Sequence, residues 1–248
     1  MMNPNECVKQ IEENASLPAG RGERFAGYAV IGLPFSSGHV LALRRFPASS
    51  LGPGYTSVWH RDPSDRWTFY STVAPEQSCS RYFGSQVEEN VDAQIRIEWD
   101  GPENFRVIAD CSRPLTWEIR LTQTAASRLM NAAACLVPDS WWQKRLMLRV
   151  MAAAARWFLR TGKMNLAGRT PNEQEFKANP QEVWLVKSSR AEVNGVDLGP
   201  VGPLPEQARL NDFLIPQRGI FAIARSFLES KNRVVLTRAH LIKSTAQI

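Results

Sequence analysis

His60-Arg61-Asp62 stands at the end of a strand-like run beginning at Tyr55 and holds one of only three histidines in the chain. An imidazole beside a carboxylate can shuttle protons near neutral pH. Alternate strand residues point to opposite faces, so His60 and Asp62 share a side and Arg61 takes the other. The pair reads either as an acid–base couple or as a turn-stabilising contact. Tyr70, on the returning strand, adds a third group, and His60, Asp62 and Tyr70 are the candidate catalytic residues. His39, after Ser36-Ser37-Gly38, is a second candidate base or a loop-to-strand hydrogen-bonding group.

A further cluster is Cys79-Ser80-Arg81-Tyr82-Phe83-Gly84. Cys79 would act as a nucleophile only with a base beside it; otherwise it is a small buried thiol. Arg81 and Tyr82 suit a carboxylate or carbonyl on a ligand, or a structural ion pair. Gln207, Asp212, Gln217 and Arg218 lie in a proline-rich connection expected to cross or close one end of a sheet. Trp59, Trp67, Trp99, Trp117 and Trp184 fall on expected strands, as core fillers or as the lining of an apolar cavity. The candidate ligand-binding residues are therefore His39, Trp59, Trp67, Cys79, Arg81, Tyr82, Trp99, Trp117 and Trp184.

Several chemistries lose support. Neither G-x-x-x-x-G-K-[ST] nor G-x-G-x-x-G occurs, nor does G-x-S-x-G, so no cofactor is expected. The four cysteines (Cys7, Cys79, Cys111, Cys135) lack metal-ligand spacing, and no metal site is expected. A formal charge of +6 on 248 residues is ordinary solvated surplus rather than a nucleic-acid footprint. The opening Met-Met-Asn-Pro-Asn-Glu has no basic-then-apolar signal pattern, and no apolar run is long enough to span a bilayer. The expected setting is the cytoplasm, with reduced thiols.

The elements that must position these groups are mostly strands. Tyr55–Val73 forms a hairpin, with Trp59, Ser57 and Tyr55 on one face and His60 and Val58 on the other; Asp62-Pro63-Ser64-Asp65 supplies the turn. Ile95, Ile97 and Trp99 alternate with Gln94, Arg96 and Glu98. Leu115, Trp117, Ile119 and Leu121 alternate with Thr116, Glu118, Arg120 and Thr122. Such segments make an antiparallel meander with one dry face. Apolar runs at 29–33 and 40–46 precede them, and strands resume at 163–168, 175–178, 183–193 and 219–228, with Asn194-Gly195 as a hairpin turn.

Between 124 and 162 the period becomes helical. One helix is expected from Ala125 or Ala126 to about Val137, broken by Pro138. A second runs from Asp139 or Ser140 to Arg160, with Gly162 as its stop. On this second helix Arg145, Arg149, Arg156 and Arg160 share a stripe of about 60°. They read either as arginines reaching water from a core helix or as a surface docking on an anionic membrane or an acidic partner.

The expected organisation is a polar segment over 1–24, one β-rich domain over 25–229 carrying the helical pair at 124–162, and a basic tail over 230–248. The fold class is mainly β (α+β): an antiparallel lipocalin-like barrel or two-sheet sandwich.

The segments at Ser57–Tyr70 (S-V-W-H-R-D-P-S-D-R-W-T-F-Y) and Gly202–Ala222 (G-P-L-P-E-Q-A-R-L-N-D-F-L-I-P-Q-R-G-I-F-A) resemble those of bacterial proteins with no assigned activity. The tryptophan-bearing strand order resembles the lipocalin-like β-barrel families that include hydroxyneurosporene synthase and tocopherol cyclase, at pattern level over residues 25–123 and 163–229. That resemblance implies an apolar ligand inside a barrel or between two sheets, and carries no site residue across. The expected function is binding of a hydrophobic small molecule, with any turnover a cofactor-free isomerisation, hydration or cyclisation. The alternative is a non-catalytic protein docking through the arginine-striped helix.

Overall fold

In a computed structural model of the chain, residues 2–137, 141–142 and 144–229 are described. The expected break at Pro138, the cap at Asp139 or Ser140, and the basic tail lie outside them. In chain order the elements are α1 (Pro4–Glu13), β1 (Glu23–Pro34), β2 (Val40–Ser49), β3 (Tyr55–Arg61), β4 (Trp67–Ser71), α2 (Ser80–Phe83), β5 (Glu89–Asp92), β6 (Gln94–Trp99), β7 (Asn104–Asp110), β8 (Leu115–Thr122), α3 (Ala125–Cys135), α4 (Arg145–Phe158), β9 (Ala167–Arg169), β10 (Glu175–Val193), β11 (Val196–Asp197), β12 (Arg209–Leu210), β13 (Phe213–Leu214) and β14 (Ile220–Glu229).

The fold is mainly β, with a nearly closed, barrel-like mixed sheet. Its spatial order is β5-β4-β3-β2-β1-β14-β10-β8-β7-β6, with β9 and β11 paired to β10. All of these pairings are antiparallel except β4 with β5. The two ends of this order, β5 and β6, are consecutive in the chain and separated only by Ala93, so the backbone itself joins the sheet's edges. Strands before the helical pair interleave with strands after it: β14 pairs with β1, and β10 pairs with β8. The two stretches expected as separate strands at 175–178 and 183–193 form one long β10, with a register shift between Pro180 and Glu182.

The dry side of the alternation in β8 faces the barrel interior, and burial there switches residue by residue. The interior is filled by large side chains, among them Tyr28, Tyr70, Phe105, Trp117, Trp184 and Phe221. α1 packs Cys7, Val8 and Ile11 against them. The helix starts on a capping box between Asn3 and Glu6 with Pro4 in its first turn. It is held down by Glu12, which takes Arg45 Nε (2.8 Å) and Nη2 (2.7 Å) and the Tyr28 hydroxyl (3.0 Å).

β3 shows no wet face, and β1, β2 and β14 show little of one, because a second layer covers the outside of this part of the sheet. That layer contains α2 and the proline-rich connection, with Leu204, Ala208, Leu210 and Ile215 packed on Phe25, Val40, Ala42, Phe46, Tyr55 and Trp59. The connection thus lies along a flank of the sheet rather than across its end; its apolar residues need a dry surface, and the outer face of β1–β3 offers one. The helical pair continues this layer. α3 docks on β10 where the ladder is interrupted: buried Asn131 donates to the Val183 carbonyl (3.1 Å) and accepts from the Val183 N–H (3.0 Å). No helix among the described residues is long and apolar enough to cross a membrane.

Candidate functional site

Arg44 and Arg45 are neighbours on β2 and so face opposite sides of the sheet. Arg45 points to α1 and is neutralised by Glu12. Arg44 points outward, under the second layer, and is buried. Its guanidinium lies 4.5 Å from the Trp59 ring centroid and 5.4 Å from that of Phe213. Nη1 donates to the carbonyls of Val30 (2.7 Å) and Leu43 (2.8 Å), and Nη2 donates to that of Ile31 (3.0 Å).

These bonds use three of the five guanidinium N–H groups. No carboxylate among the described residues pairs with Arg44. Burial lowers its pKa to about 10, so it keeps its charge at neutral pH. Tyr55 and Cys79, the nearest acidic groups, bond each other at 3.3 Å, and burial pushes both up, so neither supplies a negative charge. Ser57 stands opposite Arg44 in register and on the same face. Its hydroxyl oxygen and the Trp59 indole nitrogen are buried without hydrogen-bond partners among the described residues.

Arg44 forms one wall of a cavity of about 70 Å³ between the outer face of β2, β1, β14 and β10 and a roof made by Met164–Leu166 and β13. The remaining wall is largely apolar: Ala29, Ile31, Phe46, Leu166, Ala178, Pro180, Phe213, Leu214, Ala222 and Ala224. A second space of about 30 Å³ lies beside it under α3 and α4 and shares Ile31, Met164, Leu166 and Pro180. The polar residues of the connection brace the roof. Gln207 binds backbone at Lys163 and Ile215, Asp212 accepts from the Arg169 N–H (2.9 Å), Gln217 pairs with the Leu204 backbone, and Arg218 donates to the Leu159 carbonyl (3.2 Å).

His60, Asp62 and Tyr70 meet around a different depression of about 270 Å³, with Arg66, Glu88, Glu89 and Arg113 at its walls. His60 is tied to His39 rather than to Asp62. His39 Nδ1 and His60 Nε2 are 2.9 Å apart with the rings stacked. Asp62 serves the turn, accepting from the Ser64 N–H (2.8 Å), the Arg66 N–H (3.1 Å) and Arg66 Nε (2.8 Å). Burial, then the neighbouring His39, lowers His60 to about 4; burial also lowers His39 and raises Tyr70 to about 12.

The tryptophans divide between the two faces of the sheet. Trp59 and Trp67 belong to the outer layer with Cys79 and Tyr82, while Trp99, Trp117 and Trp184 pack in the barrel interior. These two groups do not meet around one ligand. Arg81 and Tyr82 converge on Glu23, at 3.1 and 2.6 Å. Among the described residues no group of three or more His, Cys, Asp or Glu side chains could hold a metal ion.

Of the candidate site residues singled out in the sequence, Trp59 stacks on Arg44 and Cys79 lies close enough to act on its charge. Arg44 itself lies within the apolar run at 40–46. Its signal was parity: it shares its face with Val40, Ala42 and Phe46, where a charge is out of place.

No family model and no curated protein matches the chain. Among solved structures, an acetoacetate decarboxylase is similar at 12% identity, covering 92% of this chain and 95% of that one with a TM-score of 0.43. The acetoacetate decarboxylase of Legionella pneumophila subsp. pneumophila str. Philadelphia 1 is similar at 10% identity, with 89% and 95% covered and a TM-score of 0.34.

Proposed function

We propose that the protein binds a small, mostly apolar molecule in the cavity between the outer face of β2–β1–β14–β10 and its roof. The observation that carries this reading is the wall of alanine, leucine, isoleucine and phenylalanine with one charged group, Arg44, and two neutral polar ones, Asn165 and Ser226. Binding sites combine an apolar lining with a few placed polar groups in this way. The space of about 70 Å³ is several times the roughly 15 Å³ that admits one water, so it suits a guest of about four to six heavy atoms. Met164, on the wall shared with the neighbouring space, is unbranched and adaptable, so a somewhat longer tail can be taken in. The cavity wall holds no carboxylate or imidazole, so acid–base chemistry on this guest would fall to groups outside it.

Butan-1-ol titrated into protein carrying labelled methyl groups tests the reading. Saturable shifts at Met164, Leu166 and Leu214 are expected, and Ala224→Leu, which fills the wall, abolishes them. Absence of saturable shifts at those methyls would overturn it.

A second reading rests on α4. Leu146 (73% exposed), Val150 (55%) and Trp157 (76%) repeat at helical spacing, next to Phe158 (65%). Arg149 and Arg156 stand beside this stripe, along a groove that also takes in Lys163 and Arg169. Exposed apolar stripes flanked by arginine suit an anionic membrane surface. Binding to phosphatidylserine vesicles that weakens with salt, and that Arg149→Glu with Arg156→Glu removes, supports this reading; unchanged affinity in the double variant ends it.

A further inference from the structure

The two arginines of β2 carry the same charge and meet opposite fates, Arg45 half-buried and Arg44 buried. Arg45 holds both oxygens of Glu12 on its Nε–Nη2 edge. Arg44 has no carboxylate, and its Nε–H and one Nη2–H have no acceptor among the described residues. A buried charge without a counter-charge is costly even after carbonyls and aromatic faces take part of it. A charge kept there, on the wall of an apolar cavity and beside the unpartnered Ser57 hydroxyl and Trp59 N–H, fits a site completed by an anion from outside the chain.

We infer that Arg44 anchors the carboxylate of a short aliphatic monocarboxylic acid, whose hydrocarbon tail lies against Ala222, Leu166 and Met164. The inference rests on the cavity reading above and names its ligand class. A carboxylate matches the planar fork of a guanidinium, two oxygens to two N–H groups. The tail accounts for the apolar part of the wall. A dianion does not fit, because the cavity wall offers no second cation. The acid enters as its anion and leaves unchanged; no bond is made or broken.

The test compares butyrate with butyramide, nearly the same in shape but uncharged, in the unaltered protein by methyl-shift titration. Butyrate is expected to bind at least about tenfold more tightly, the ordinary margin of a charge-assisted hydrogen bond over a neutral one. Arg44→Lys retains part of this preference and Arg44→Met loses it, each checked for an unchanged fold by circular dichroism. Equal affinity for butyrate and butyramide would overturn the inference while leaving the cavity reading intact. Failure of butyrate, butyramide and butan-1-ol alike would remove both. Because the ligand comparison is made on the unaltered chain, it stands even where Arg44→Met fails to fold.

Discussion

Replacing His60 with glutamine should flatten the acid side of the protein's stability profile. In the folded state burial, with His39 at 2.9 Å, lowers the imidazole to about 4 against an ordinary 6.5. The unfolded chain therefore takes up the proton first as pH falls. The sign follows: this contribution is complete above pH 6.5 and is lost progressively between 6.5 and 4. At about pH 5, some 1.5 pH units below the unfolded value and at about 1.4 kcal/mol per unit, the loss is about 2 kcal/mol. Carboxylates also titrate in this range, so the comparison must be between the two proteins. Urea melts at about pH 7.5 and about pH 5 should show the wild type losing about 2 kcal/mol more than His60→Gln. A gap that does not change with pH would refute the reasoning, as would an imidazole resonance of His60 titrating near 6.5.

Two further outcomes follow from packing. A Cβ on Gly27, at the register shift between β1 and β2, would stand 2.0 Å from the Arg45 carbonyl oxygen, so Gly27→Ala should cost about 3 kcal/mol or more in a thermal or urea melt. Tyr82→Phe removes the 2.6 Å bond to Glu23 but keeps the edge contact with Phe25; stability should fall by about 1–3 kcal/mol while butan-1-ol binding stays the same, because Tyr82 is not part of the cavity wall. A stable Tyr82→Phe protein with weakened butan-1-ol binding would contradict both statements.

The alternation of Leu115, Trp117, Ile119 and Leu121, the turn at Asp62–Asp65 and the Asn194-Gly195 hairpin were legible because each depends on local geometry. The period of two fixes a face, and both Asn194 (φ 51°) and Gly195 (φ 77°) take the left-handed backbone that a tight hairpin needs. The mainly β, barrel-like class followed from those local signals. What lay on each face did not. Trp59 and Trp117 read alike in sequence, yet one lies under a second layer and the other inside the barrel. The histidines also needed the fold: His39 and His60 are 21 residues apart and meet only because β2 and β3 pair.

The sequence by itself determined the meander strands, the Tyr55–Val73 hairpin and the helical stretch after Thr124, because backbone preference and side-chain period act over a few residues. Only the tertiary structure decided that Arg45 finds Glu12 while Arg44 finds no carboxylate among the described residues. Whether a buried charge is neutralised depends on which distant element covers it, and β13 covers Arg44 with a phenylalanine.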